Sequence, residues 1–253
     1  MPTALHGKKI MITREKKQAT EFSEKVLQAG GNPIEVPLLK ISCIDNDTTR
    51  QFFDEAKPYN WIFFTSANGV DCFLKRDGWK TITEETQLAA VGHKTAEKLE
   101  DYGYQVDFIP STYHAEAMTN EFPEPDRLHE SQVLLIQGTK SRDVLPNWLA
   151  DKDVPFDTVV VYESLFNYEN RQKLSWVLAK ESPDFITFTS PSTVDAFLEM
   201  NEGTIEQDCI YVCIGTTTCN YAQESGFENI LTPDEFTIDG MIQCMSDYIA
   251  VKG

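Results

Sequence analysis

Two stretches of this chain are versions of one another. Residues 61–74 read WIFFTSANGVDCFL and residues 185–198 read FITFTSPSTVDAFL, 124 positions apart. Ile, Phe, Thr, Ser, Val, Asp, Phe and Leu recur at matched positions. At an offset of 123 the echo continues. AVGHKTAEKLEDYGY (90–104) answers CIGTTTCNYAQESGF (213–227), and FIPSTYHAEAM (108–118) answers LTPDEFTIDGM (231–241). A repeat this long predicts two similar lobes, and two lobes make a cleft in which a ligand is held.

The chain's 253 residues suit two modest domains. No apolar run approaches the length of a membrane span, and MPTALHGKKIMITR has no apolar stretch ending in small residues, so a cytoplasmic protein is expected. The six cysteines form no CxxC pair and no His stands at metal-ligand spacing from them, so reduced, mostly buried thiols are expected and no metal site. A net charge of −18 argues against nucleic acid and against anionic membrane surfaces as partners. It leaves room for a small anion, because exposed charges are screened beyond about 8 Å and donors inside a cleft then decide binding.

Strand and helix patterns alternate. KKIMIT (8–13), WIFFTS (61–66), QLAAVG (87–92), QVDFIP (105–110), QVLLIQG (132–138), VPFDTVVVYES (154–164), the FTS strand near 185–190, IYVCIG (210–215) and NILTP (229–233) read as strands, as does the extended stretch NPIEVPLLKI (32–41). Helical spacing follows most of them, as in Ala19 to Ala29 before Gly30-Gly31 and in Lys94 to Tyr102 before Gly103. The pattern predicts parallel α/β structure in two doubly wound lobes. Repeat counting alone cuts the chain near residue 130, where EFPEPDRLHES (121–131) reads as a loop or boundary.

In doubly wound sheets ligands bind at the carboxyl ends of strands. Five strand-to-helix junctions there are rich in Gly, Ser and Thr: Thr65-Ser66-Ala67-Asn68-Gly69, Gly92-His93-Lys94-Thr95, Gln137-Gly138-Thr139-Lys140-Ser141-Arg142, Thr189-Ser190-Pro191-Ser192-Thr193 and Gly215-Thr216-Thr217-Thr218. Helix starts offer free N–H groups and a positive dipole end, which lets an acidic protein hold an anion. The same residues are also common N-caps, so each junction taken singly reads equally as structure. None is a P-loop or a GxGxxG turn, so no nucleotide cofactor is implied. Arg14, following the first strand, reads as a bidentate carboxylate clamp or as a surface ion pair. Tyr162, closing VVVY, reads as a packed aromatic or as a phenol facing the cleft. A phenol titrates at about pH 10 and is a proton donor at neutral pH.

The ordered set ITR, Pro33 with Pro37, FFTSANGV, AVGHKTA, Gly103 with Pro110, LLIQGTKSR, VVVY, FTSPSTV and IGTTT resembles the uroporphyrinogen-III synthase family from about residue 8 to 245. The resemblance implies two similar doubly wound parallel-sheet lobes joined by a two-stranded β linker, with a cleft between them. One lobe would be 1–38 plus 168–253, and the inserted lobe 39–167. It implies a cofactor-free, metal-free lyase that cyclises hydroxymethylbilane, a linear tetrapyrrole with eight carboxylates, to uroporphyrinogen III. Ring D is inverted and water is lost. Tyr162 falls on the family's tyrosine that assists departure of the hydroxyl. Arg14, Thr65, Ser66, Asn68, Gly92, Lys94, Thr95, Gly138, Thr139, Arg142, Thr189, Ser190, Ser192, Gly215, Thr217 and Thr218 are then the substrate-binding set. A monomer is expected, receiving substrate by transient hand-over from hydroxymethylbilane synthase. Gln137 departs from relatives that carry Arg there. The alternatives are a non-catalytic two-lobe binding protein for a small anion, and a nucleotide-sugar transferase with two Rossmann-like lobes. The short chain and the missing Gly-rich fingerprint oppose the latter.

Overall fold

The computed structural model describes residues 4–252 apart from Ala56, Tyr113, Glu124, Gly203, Gln207 and Asp208, with the side chains of residues 125–127 also left out. Two compact units form, Met1–Lys40 with Leu165–Gly253, and Ile41–Ser164. The first begins with β1 (Lys9–Ile12), α1 (Lys16–Gln28) and β2 (Asn32–Glu35). Strand β3 (Leu39–Cys43) leads into the second. That unit runs α2 (Asp47–Asp54), β4 (Trp61–Phe64), α3 (Ala67–Leu74), β5 (Gln87–Ala90), α4 (His93–Asp101), α5 (Ala115–Glu121), β6 (Val133–Gly138), α6 (Val144–Asp151) and β7 (Phe156–Phe166). The chain then completes the first unit with α7 (Arg171–Trp176), β8 (Phe185–Phe188), α8 (Pro191–Met200), β9 (Ile210–Cys213), α9 (Thr216–Glu224), β10 (Ile230–Leu231) and α10 (Ile238–Lys252).

The sheet of the first unit has the order β10-β9-β8-β1-β2, and that of the second β3-β7-β6-β4-β5. Strands β1, β2, β8, β9 and β10 pair in parallel, as do β4 to β7. Every residue of β4 and β6 is buried, as unbroken apolar strands covered on both faces require. Alternation then divides the core. Ile62 and Phe64 face a cluster with Val70, Phe73 and Leu99, while Trp61 and Phe63 face Phe122, Leu145 and Leu149. Helix α1 buries Ala19, Phe22, Ser23 and Val26, one face at 3–4-residue spacing. It stops before Gly30, whose φ of 78° suits glycine.

The repeat is circularly permuted. Shifting the isolated bridge Ala89–Phe108 by 123 residues gives Val212–Leu231, a pair of the β9–β10 ladder. On its other side β4 pairs with β6, and its counterpart β8 pairs with β1. So β6-α6-β7 answers β1-α1-β2, and the first forty residues supply the last third of their own unit. In both units the order in which strands are added reverses between those parallel central strands, β4/β6 and β8/β1, which is where ligands gather in open parallel sheets.

Several expectations change. The cut near residue 130 fails, because β6 pairs with β4 in one sheet; of the loop proposed there, Glu124 lies outside the described residues. The strand expected over 105–110 reduces to the single bridge at Phe108. The extended stretch 32–41 splits into β2 and β3, which join different sheets. The expectation of reduced thiols fails for Cys43, at the end of β3, and Cys72 in α3. They form a disulfide with Cα atoms 5.3 Å apart. At a sequence separation of 29, only the fold brings them together. Cys209 and Cys213 are buried free thiols, each pushed up to about 12 by burial. No helix among the described residues is long and apolar enough to cross a membrane.

Candidate active site

The switch point of the second unit assembles a phenol, a hydroxyl and a helix start. Strand β4 is followed by Ser66 in extended conformation at φ −160° and ψ 154°. Ser66 caps α3 by accepting the Gly69 N–H at 3.1 Å. On the neighbouring strands, Gln137 pairs with Val160 but Gly138 pairs with Tyr162, so β7 carries one extra residue at this level. Such a bulge re-aims the side chain that follows it. It lays the Tyr162 ring directly on Gly138, where an added Cβ would stand 2.8 Å from both Cε atoms of the ring. Only glycine leaves that space. The ring also lies beside Gly69, 3.8 Å from the position a Cβ would take there.

The hydroxyls then form a directed chain. Gly69 N–H donates to Ser66 Oγ, and the Ser66 hydroxyl donates to Tyr162 Oη at 3.0 Å. With its oxygen accepting from Ser66, Tyr162 keeps its own proton available to another acceptor. Each donor polarises the next, so the phenol is the stronger hydrogen-bond donor for being last in line. The chain begins at a helix N-terminus, whose dipole favours electron density on the oxygens it faces.

The other residues singled out in this unit divide by task. Thr65 Oγ1 donates to the Ile136 carbonyl at 3.0 Å and ties β4 to β6. Asn68 is half-buried in the first turn of α3. Gly92 is the extended N-cap of α4, Lys94 lies exposed in the first turn, and Thr95 is buried beneath it. Thr139 N–H donates to the Tyr162 carbonyl at 3.1 Å, and Gly138 N–H to Ser141 Oγ at 3.1 Å, so the loop after β6 is pinned to the strand that carries the phenol. Arg142 is exposed and bidentate to Glu116, at 2.5 and 3.0 Å. The Arg142 hydrogen bonds hold the Glu116 carboxyl below its usual range. An anion taking Arg142 must therefore displace a carboxylate.

The switch point of the first unit has its own set. Arg14 follows β1 and donates from Nε to Gln18 Oε1 at 3.1 Å. Burial pushes the Arg14 guanidinium down and the fields of Glu21 and Glu15 pull it up. A partly desolvated cation is receptive to an anion. Across the switch, the Thr189 and Ser190 N–H groups both donate to Thr193 Oγ1 at 3.2 Å, and Ser192 lies in the first turn of α8. Gly215 caps α9 in extended conformation, with Thr217 exposed and Thr218 buried. The first backbone bond of α9 runs from Cys219 N–H to the Gly215 carbonyl, leaving the N–H groups of residues 216–218 for other acceptors.

Sequence reasoning missed the parts that act through others: Gly69 as the start of the hydroxyl chain, Glu116 as the partner of Arg142, and the bulge. The one legible hint was the long apolar run before Tyr162 beside the shorter run ending in Gly138.

Solved structures share the fold. The protein has the two-unit α/β fold of a mutant uroporphyrinogen III synthase from Thermus thermophilus, at TM-score 0.58 and 15% identity, over 96% of this chain and 99% of that one. The uroporphyrinogen-III synthetase of Helicobacter pylori matches at TM-score 0.62 and 18% identity, over 97% and 98%. Sequence relatives carry the same designation. The uroporphyrinogen-III synthase of Chlorobaculum parvum is 27% identical over 90% of this chain and 94% of that protein. The porphyrin biosynthesis protein HemD of Ruminiclostridium josui is 29% identical over 96% of this chain, which spans 49% of its length. The family profile described as uroporphyrinogen-III synthase HemD matches residues 20–243. The chain belongs to the uroporphyrinogen-III synthase family, enzymes of tetrapyrrole biosynthesis.

Proposed function

We propose that this chain is a catalytically competent uroporphyrinogen-III synthase, a hydro-lyase that closes hydroxymethylbilane to uroporphyrinogen III. The observation that carries the reading is the phenol of Tyr162, held on Gly138 and hydrogen-bonded by Ser66 at the start of α3. Tyr162 gives its proton to the substrate hydroxyl as the C–O bond breaks. The pyrrole nitrogen supplies the electrons, water leaves, and a delocalised azafulvene-type cation remains. Ring D attacks through its substituted carbon, the spiro intermediate fragments and recloses, and the proton lost on closure restores the phenol. The substrate also closes unaided to the type I isomer, so holding its folded conformation is half of the task.

The N–H groups at the helix starts and the cation Arg14 suit a substrate with eight carboxylates. In this reading the protein acts as a monomer, in the cytoplasm, and takes substrate from hydroxymethylbilane synthase. The test uses purified protein and freshly generated hydroxymethylbilane with nothing else added. Excess type III product after oxidation and chromatography supports the reading, and type I alone at the spontaneous rate refutes it.

A further inference from the structure

We infer that Phe236 is a contact residue that holds one pyrrole ring of the substrate by its face, an inference that rests on the function proposed above. Phe236 is 55% exposed, a large apolar side chain standing at the carboxyl end of β9 where the first unit's candidate site lies. Its ring lies over Gly215, the N-cap of α9. A Cβ added there would be 3.1, 3.2 and 3.4 Å from ring carbons Cγ, Cδ2 and Cδ1, three nearly equal distances that mark a ring laid flat on the backbone. One face is thus supported, while more than half of the side chain stays exposed.

The segment that presents the ring is fixed from below. Thr237 N–H donates to the Glu235 carbonyl at 2.7 Å, which puts Phe236 at the apex of a three-residue turn. Gly240 N–H donates to Thr237 Oγ1 at 3.0 Å, and Met241 N–H to the Thr237 carbonyl at 3.0 Å. A Cβ on Gly240 would collide with the Glu235 carbonyl oxygen, so this helix start closes on the turn only with glycine. No aromatic partner engages the ring among the described residues. An exposed phenylalanine held so firmly gains nothing for stability by facing water.

The repeat supplies an independent sign. Subtracting 123 from Phe236 gives Tyr113, in PSTYHAEAM against TPDEFTIDGM, so an aromatic recurs at the same place in both halves of the sequence. Tyr113 lies outside the described residues. Asp234 and Glu235 immediately precede Phe236 and oppose carboxylates, which leaves the flat, uncharged part of the substrate as its partner. A pyrrole stacked on Phe236 also lies next to the first N–H groups of α9, which have no partner inside their own helix, within reach of that ring's own acid side chains.

The test compares wild type with Phe236→Ala, Phe236→Tyr and Phe236→Trp on hydroxymethylbilane, reading KM, kcat, the type III fraction and thermal unfolding. Loss of one aromatic contact corresponds to a KM raised about threefold to tenfold. The expected result is that rise in Phe236→Ala, with more type I product, an unchanged unfolding midpoint, and recovery in the Tyr and Trp variants. Unchanged KM and isomer ratio in a folded Phe236→Ala protein overturn the inference while leaving the proposed function standing. Should Phe236→Ala fail to fold, the Tyr and Trp variants decide: wild-type KM and isomer ratio in both support it, and a tenfold loss in both overturns it. Wild-type protein that makes only type I product overturns both.

Discussion

Tyr162 is placed by residues that have no chemistry of their own. Gly138 leaves room for the ring, and the extra residue in β7 turns it toward Gly138. Gly138→Ala therefore sets a methyl group against the ring, and kcat is expected to fall at least tenfold together with the unfolding midpoint. In the double variant with Tyr162→Ala the obstruction is gone, so the midpoint recovers toward that of Tyr162→Ala alone, a non-additivity that a thermal-unfolding cycle measures. Ser66→Ala removes both a helix cap, at about 1 kcal/mol, and the donor to Tyr162. It is expected to lower kcat severalfold with KM little changed. Serine and tyrosine were both legible as candidates from their positions after apolar runs. Their hydrogen bond was not, because 96 residues separate them and a sequence carries no register.

At the scale of elements, the strand-to-helix alternation was readable because buried parallel strands are unbroken apolar runs and their helices start on Ser, Thr or Gly. Composition without the unbroken apolar run misled. QVDFIP has strand composition, yet only Phe108 reaches the edge of its sheet. The disulfide joins β3 to α3, the helix whose start holds Ser66. Closing a loop of this size contributes about 3 kcal/mol. Reduction of the wild type is expected to lower the unfolding midpoint by several degrees, while Cys43→Ser/Cys72→Ser does not respond to reductant. Near the start of β7, Asp157 accepts from Tyr59 Oη at 2.8 Å and pairs with Lys57 at 2.8 Å. Burial raises its pKa, but Lys57 and Tyr59 outweigh this and leave it below the usual range. A depressed carboxylate adds stability above its unfolded value near about 3.9 and loses it as pH falls through the folded value. Unfolding midpoints between about pH 5 and pH 2 should therefore fall less steeply for Asp157→Asn than for wild type.

For the whole molecule, the repeat announced two units but not which residues each contains. Similarity along a chain is blind to circular permutation, and only pairing of β8 with β1 reveals that the two ends complete one sheet. The −18 charge belongs to this scale as well. It opposes the proposed substrate, with its eight carboxylates, over distances that salt shortens. Raising ionic strength from about 10 to about 150 mM should increase kcat/KM, and a flat or falling profile would show that local donors already govern encounter. In the proposed function, residue, element and molecule together hold one substrate conformation beside the phenol of Tyr162. The most direct test of this is kcat and the type III fraction of Tyr162→Phe. The account predicts that kcat falls more than tenfold, which is about 1.4 kcal/mol of barrier, while the residual product stays type III because the binding groups remain. A rate within a few fold of wild type would contradict it and assign catalysis to conformational templating alone.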